Sequence, residues 1–89
     1  MKLEIGDIKL RRVFRSGKVL AEVSIVMDDS IAIHEIKLVQ IDGRMLLSMP
    51  NRRCADGVYR DIVHPISIEA REILQEAIVK AYKDWVAKQ

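Results

Sequence analysis

The chain has 89 residues, 49% of them hydrophobic and 31% charged, which is typical of one globular domain spanning residues 1–89 and unlike a disordered segment. No apolar run approaches the roughly 18 to 20 residues that cross a bilayer, so membrane insertion is not expected. The single cysteine cannot form an intramolecular disulfide, and the first residues lead into no apolar signal-peptide core, so we expect a cytoplasmic location.

The first third of the chain predicts two antiparallel strands. Apolar residues alternate with basic ones from Leu3 to about Phe14, a period of two that fits a half-buried strand. A glycine-bearing turn at residues 15–18 leads into a second alternating run from Val19 to Met27. Residues 28–30 read Asp-Asp-Ser and predict the next turn.

A third strand is predicted from Ile31 to Ile41. Plain alternation would put Ile31 and Ile33 on one face and Ile36 and Leu38 on the other. A bulge near His34 would bring all four residues to one face. Asp42-Gly43 then predicts a type I′ hairpin turn, because both central residues of that turn need a positive φ. The returning strand is predicted from Arg44 to Met49 and ends at a proline.

The segment after this proline is the most distinctive of the chain. Residues 51–57 are polar, contain a second Asp-Gly pair, and are interpreted as a loop. A short strand is predicted from Val58 to Val63, and His64-Pro65 ends it.

The C-terminal segment predicts one amphipathic helix. Ser67 is a suitable N-cap, and Glu76 and Lys80 are spaced for an i,i+4 ion pair. The predicted class is therefore α+β, an antiparallel sheet of four to five strands followed by a C-terminal helix. The apolar residues of the helix recur at spacings of three and four, at Ala70, Ile73, Leu74, Ala77, Ile78, Ala81, Tyr82 and Trp85.

No catalytic constellation is evident in the sequence. With two histidines, one cysteine and no phosphate-binding loop or metal motif, no metal, cofactor or small-molecule substrate is expected. His34 and His64 are interpreted as structural or surface residues, since a general base needs a positioned partner. Arg53 would favour a thiolate at Cys54, but the loop offers no second activating group, so we predict that the chain is not an enzyme.

The basic residues admit two interpretations. Arg11-Arg12 on the first strand and Arg52-Arg53 with Arg60 near the second Asp-Gly pair could present five guanidinium groups to a polyanion. Composition alone favours an ordinary solvated surface, because the net charge is only +2. Aromatic stacking platforms are few, and Tyr59 is expected to pack against the sheet. Tyr82 and Trp85 are expected to be core or dimer contacts.

Two segments resemble a known family. Residues 7–13 read Asp-Ile-Lys-Leu-Arg-Arg-Val, and residues 49–66 run from Met-Pro-Asn-Arg-Arg through Asp-Gly-Val-Tyr-Arg-Asp to His-Pro-Ile. In these segments, and over essentially the whole chain, the sequence resembles the SpoVG family, the stage V sporulation protein G or septation proteins of bacteria. The sequence departs from the family pattern at Cys54-Ala55, where a small hydroxyl residue and a proline are expected.

The resemblance implies an antiparallel sheet with a C-terminal helix, a homodimer, and a regulator that binds DNA and/or RNA and is linked to septation, sporulation and gene expression. It implies nucleic-acid binding for Arg52, Arg53 and Arg60, and Arg11 and Arg12 match as well. The alternative function is a protein-interaction adaptor of the septation machinery, which would use the helix stripe or a sheet edge and no nucleic acid.

Overall fold

A computed structural model describes residues 4–89, which form strands and one helix of an α+β fold, as predicted. The predicted start of the first strand at Leu3 lies outside the described residues. In chain order the elements are Ile5–Val13 (β1), Val19–Met27 (β2), Ile31–Ile41 (β3), Arg44–Ser48 (β4), Asn51–Arg53 (β5), Tyr59–Asp61 (β6) and Ile68–Ala87 (α1).

The first four strands form one antiparallel sheet in the order β1-β2-β3-β4. Short turns join these strands, and a short turn brings each strand back antiparallel beside the one before it. Asp28 and Asp29 both have positive φ, of 52° and 51°, and so do Asp42 and Gly43, of 51° and 79°. Positive φ at Asp42 and Gly43 confirms the prediction of a type I′ turn there.

A bulge in β3 brings its apolar residues to a common side. The β2–β3 register shifts between the Val23–Ile36 and Ile25–Ile33 pairs, and Glu35 within the shift has a φ of 64°. One extra residue in β3 restores the phase of the side chains, so Ile33 and Ile36 are both buried. The predicted bulge near His34 is confirmed.

The helix covers one face of the sheet. The Oγ of Ser67 accepts a hydrogen bond from the Ala70 N–H at 3.0 Å, which confirms the predicted N-cap. Leu74 and Ile78 are the buried residues of the helix stripe, and they pack against the buried side of the sheet. Lys80 lies 3.8 Å from Asp84 in an exposed i,i+4 pair, in place of the predicted pair with Glu76. The described part of the chain contains no helix that is long and apolar enough to cross a membrane.

On the other side of the sheet no helix of residues 4–89 is packed, and we call this side the open face. In β2, Val23 and Ile25 are buried toward the helix, so the intervening Ser24 points to the open face because successive side chains of a strand alternate. Directly opposed residues of antiparallel strands share a face, which extends this assignment across the sheet. The open face carries Lys9, Arg12, Glu22, Ser24, Lys37 and Ser48.

Candidate nucleic-acid interface

Residues 51–61, predicted in part as a loop, fold as a separate two-stranded hairpin of β5 and β6, which we call the basic hairpin. The Cys54 N–H donates to the Val58 carbonyl and the Gly57 N–H to the Cys54 carbonyl, both at 2.9 Å. Gly57 has a φ of 82°, where glycine avoids the strain that a side chain would bring. The predicted strand from Val58 to Val63 is therefore shorter than expected, and it pairs with a strand that the sequence did not reveal.

The pairing of the basic hairpin sets the direction of its arginines. Arg52 lies directly opposite Arg60, so these two side chains share one side of the hairpin, whereas Arg53 lies opposite Tyr59 on the other side. All of them are exposed. The expectation that Tyr59 packs against the sheet was wrong, because the hairpin extends beyond the helix-covered core.

Asp56 holds Arg60 in a two-pronged ion pair. The guanidinium Nη1 and Nη2 donate to the Asp56 carboxylate oxygens at 3.3 and 3.0 Å, and the Val58 N–H donates to the same carboxylate at 3.0 Å. The Arg60 guanidinium lowers the pKa of Asp56, and the carboxylate, together with a contact to Cys54, raises the pKa of Arg60. A phosphate must therefore compete with Asp56 for Arg60.

Arg52 and Arg53 differ from Arg60 because neither is held by a carboxylate. Among residues 4–89, the ion pairs within 4 Å are those of Arg60 and Lys80, so neither Arg52 nor Arg53 has a carboxylate partner. Exposed guanidinium groups without such a partner are available to bind an anion with two parallel hydrogen bonds. Arg52 and Arg53 are therefore the arginines of the basic hairpin that are exposed and free of an ion-pair partner.

A bulge in β1 directs Arg11 and Arg12 to the same face. The register shifts between the Leu10–Val23 and Arg12–Glu22 pairs, which makes Arg11 the extra residue. In a regular strand two consecutive side chains would point to opposite faces. Here Arg12 opposes Glu22 on the open face. Arg11 Nε donates to Ser24 Oγ at 3.2 Å, so the Arg11 side chain lies on the open face as well. In the sequence this bulge shows only as Arg12 interrupting the apolar side of the alternating run.

Two contacts orient these arginines. Ser24 is 6% exposed, and its Oγ lies 3.0 Å from His34 Nδ1 while it accepts from Arg11. The hydroxyl can accept from Arg11 and donate to His34 together, so both side chains are held over it. The Arg12 guanidinium carbon lies 5.8 Å from the centre of the Phe14 ring, within the range of a cation–π contact.

The five arginines lie in two separate groups, and the sequence had left open that all five share one surface. Arg12, Glu22, Lys37 and Ser48 lie in one row across the four strands. Three strand spacings separate the ends of that row by about 14 Å. β5 follows β4 after two residues, so the basic hairpin adjoins the β4 edge while Arg11 and Arg12 lie at the β1 edge.

The remaining candidate groups do not assemble into a reaction centre. Ser24 and His34 are hydrogen-bonded, but the hydroxyl is buried beneath the side chains that it holds. His64 Nδ1 contacts the adjacent Pro65 carbonyl at 3.2 Å, and Cys54 is half-buried in the hairpin turn. Within the described residues no group of three or more metal-ligating side chains is present.

Exposed apolar residues follow the basic hairpin along the chain. Ile66 is 92% exposed, and its neighbours toward the start of the helix are also accessible. A monomer rarely leaves such a run of apolar side chains in water. We call this run the apolar segment, and it consists of Ile62, Val63, Ile66 and Ile68.

The chain is similar to known proteins over most of its length. The family model SpoVG matches residues 3–84. A protein of Agathobacter rectalis is 42% identical over 81 residues, covering 91% of this chain and 93% of its own, and one of Clostridium beijerinckii is 36% identical over 87 residues, covering 98% and 96%. A third, from Lachnospira eligens, is 38% identical over 81 residues, covering 91% and 92%, and all three carry the septation protein name SpoVG. The chain therefore belongs to the SpoVG family.

Proposed function

We propose that this protein is a cytoplasmic regulator linked to septation that binds DNA or RNA and catalyses no reaction. The link to septation rests on the names of its relatives. Arg52 and Arg53 supply the main phosphate contacts in this proposal, and Arg60, Arg11 and Arg12 supply the others. The observation that carries it is the basic hairpin, which displays arginines without carboxylate partners on an exposed two-stranded ribbon.

The geometry of the basic hairpin suits a polyanion. A two-stranded ribbon is narrow enough to enter the major groove of DNA, and guanidinium groups on both of its sides can reach phosphates of either strand. The second group, Arg11 and Arg12 at the β1 edge, lies about a sheet width away and would meet a more distant part of the same chain of phosphates.

Salt dependence tests the proposal directly. If about four phosphates are neutralised, the logarithm of the affinity should fall with log salt at a slope near −3.6 on duplex DNA, a loss of roughly a hundredfold between 50 and 200 mM, and near −2.8 on single-stranded RNA, a loss of roughly fiftyfold. Gel-shift titrations on duplex DNA and single-stranded RNA at several salt concentrations measure this slope. Absence of binding at low salt, or a flat response, would contradict the proposal.

Asp56→Asn is expected to strengthen nucleic-acid binding. The substitution removes the charge that engages Arg60 and keeps an amide oxygen to accept from the Val58 N–H, so the turn is preserved. One further phosphate contact would steepen the salt slope by about 0.9. Asp61→Asn in the same hairpin removes an equal charge that makes no ion pair within 4 Å, and it separates the release of Arg60 from a general gain in net charge. Equal effects of the two variants would contradict a specific role of Asp56.

We also propose that the protein forms a homodimer through the apolar segment. Ile66→Asp is expected to convert the dimer to a monomer, because a carboxylate in a buried interface loses hydration without a partner. Sedimentation velocity measures the state, and Ile41→Asp at an exposed site far along the sheet is the control. A wild-type monomer, or a dimer unaffected by Ile66→Asp, would contradict this interface.

The apolar segment also supports the alternative function of a protein-interaction adaptor, since the same exposed residues could bind another protein. Within the helix stripe, Leu74 and Ile78 pack against the sheet and are not available for this purpose. An adaptor would bind its partner equally well after removal of Arg52 and Arg53, whereas a nucleic-acid-binding protein would lose its ligand.

A further inference from the structure

Three basic side chains meet around Ser24 on the open face. Lys9 lies directly opposite Ser24 in the β1–β2 pairing, so both side chains point to this face. Arg11 Nε and His34 Nδ1 lie 3.2 and 3.0 Å from the Ser24 Oγ. One buried hydroxyl of β2 therefore gathers side chains from β1 and β3 on the same surface.

Each of these basic side chains has polar groups to spare. Within residues 4–89, the contact with Ser24 is the one side-chain hydrogen bond of Arg11 and of His34, and Lys9 makes no ion pair within 4 Å. Both Nη groups of Arg11, the Nε2 of His34 and the Lys9 ammonium are therefore free to bind a ligand. All three residues are exposed, so an anion reaches these groups without a rearrangement of the sheet.

Protonation of His34 adds a second positive charge beside Arg11. A charged imidazole carries hydrogen on both nitrogens, so Nδ1 donates to the Ser24 Oγ and Nε2 donates outward. The hydroxyl oxygen accepts from Arg11 and His34 together, because it has two lone pairs. Two like charges this close repel each other, and an anion between them offsets the repulsion. Anion binding and proton uptake by His34 therefore favour each other.

The carboxylates of the same face leave the anion site open. Glu22 lies in the next row, where Arg12 opposes it from β1 and Lys37 from β3. Glu35 follows His34 in the bulge and lines a polar depression with Glu22 and Lys37, whose other lining residues are uncharged. Neither carboxylate makes an ion pair within 4 Å in the described part of the chain. The helix packs on the opposite side of the sheet, away from His34.

We propose that Lys9, Arg11 and His34 form a phosphate-binding site on the open face, and that protonation of His34 strengthens nucleic-acid binding there. Phosphate oxygens accept charge-assisted hydrogen bonds from guanidinium, ammonium and imidazolium groups. Histidine is the side chain that ordinarily changes its charge between pH 5 and 8. This inference rests on the proposed nucleic-acid binding and adds to it two contact residues and a dependence on pH.

Anisotropy titrations of the intact protein with duplex DNA, at about pH 6 and pH 8, test this site. One added phosphate contact steepens the salt slope by about 0.9, which amounts to roughly fifteenfold tighter binding at 50 mM salt relative to 1 M. We expect the wild-type affinity to rise by up to this factor from pH 8 to pH 6, with a steeper salt slope. Affinity and slope that are equal at both pH values would overturn the inference.

The two histidines of the chain provide a matched pair of variants. His34→Gln removes the titrating group and keeps an amide beside Ser24, so its affinity should no longer change with pH. His64→Gln removes the other histidine, which contacts the Pro65 carbonyl outside this cluster, and it should respond to pH as the wild type does. A full pH response in His34→Gln, or its loss in His64→Gln, would overturn the role of His34. Circular dichroism confirms that each variant is folded.

Lys9→Ala tests the position of the site at constant pH. It is expected to weaken duplex binding roughly fifteenfold at 50 mM salt and to reduce the salt slope by about 0.9, through loss of one phosphate contact. Lys83→Ala removes the same charge from an exposed position on the helix and should change binding far less. Equal losses for the two variants would overturn the placement of a phosphate on the open face.

The outcomes distinguish this inference from the proposed function. Salt-dependent binding that does not respond to pH in the wild type would overturn the His34 site and leave binding by Arg52 and Arg53 intact. Absence of binding at both pH values and at low salt would overturn the proposed function itself.

Discussion

Arg52→Ala combined with Arg53→Ala is expected to lower nucleic-acid affinity by roughly two hundredfold at 50 mM salt. Loss of two phosphate contacts should reduce the salt slope from about −3.6 to about −1.8. Counterion release no longer contributes at 1 M salt, so the affinities of wild type and variant should be equal there. From 1 M down to 50 mM salt, the difference between the two slopes separates these affinities by roughly two hundredfold. Both side chains are exposed and make no ion pair within 4 Å among residues 4–89, so their removal should not disturb the fold. Gel-shift or anisotropy titrations over a range of salt concentrations measure both quantities.

Arg44→Ala with Arg71→Ala is the matched control for this variant. It removes the same charge from exposed positions, at the start of β4 and on the helix, away from the basic hairpin. A general electrostatic attraction would make the two double variants equally weak. The proposed interface requires that the hairpin variant lose far more affinity and salt dependence than the control.

Ile78→Ala is expected to lower the free energy of unfolding by about 2 to 5 kcal/mol, the cost of deleting a buried isoleucine side chain beyond its β-carbon. Ile78 is 0% exposed and lies where the helix packs on the sheet, so the substitution leaves a cavity that neighbouring side chains can fill only in part. An 89-residue domain has a small core, and such a loss is a large share of its total stability. Urea denaturation followed by circular dichroism measures the change.

Ile68→Ala provides the control for this prediction. The side chain is of the same type and lies in the same helix, but it is 80% exposed and should change the unfolding free energy by less than about 0.5 kcal/mol. If the apolar segment forms a dimer interface, the effect of Ile68→Ala should grow with protein concentration, because association contributes to stability by mass action. Equal losses for the two variants would contradict the packing described for α1.

The two groups of arginines make distinct contributions to the proposed binding. The basic hairpin presents Arg52 and Arg53 freely and holds Arg60 against Asp56, so its full charge becomes available only when a phosphate displaces the carboxylate. At the β1 edge, Ser24 holds Arg11 in place. A ligand that contacts both groups must span the sheet, which favours a polynucleotide over a single nucleotide.

Several elements could be predicted because their signals are local. Asp42-Gly43 predicted its turn through the backbone freedom that a positive φ needs, and Ser67 predicted the start of the helix through its hydroxyl. The apolar stripe of α1 identified Leu74 and Ile78 because helical spacing places them on one side. The phase shift in β3 also revealed its bulge, since both apolar halves of that strand had to reach the same core.

The sequence by itself determined the α+β class, the helix, the four main strands and the identity of the basic residues, because these depend on periodicity and on turn and cap chemistry within a few residues. Only the tertiary structure decided where the basic residues point. The β1 bulge, the pairing of Arg52 with Arg60, and the engagement of Arg60 by Asp56 all depend on strand register or on the pairing of β5 with β6. A shift of one residue in register reverses the face of every side chain in a strand, and composition carries no record of that choice.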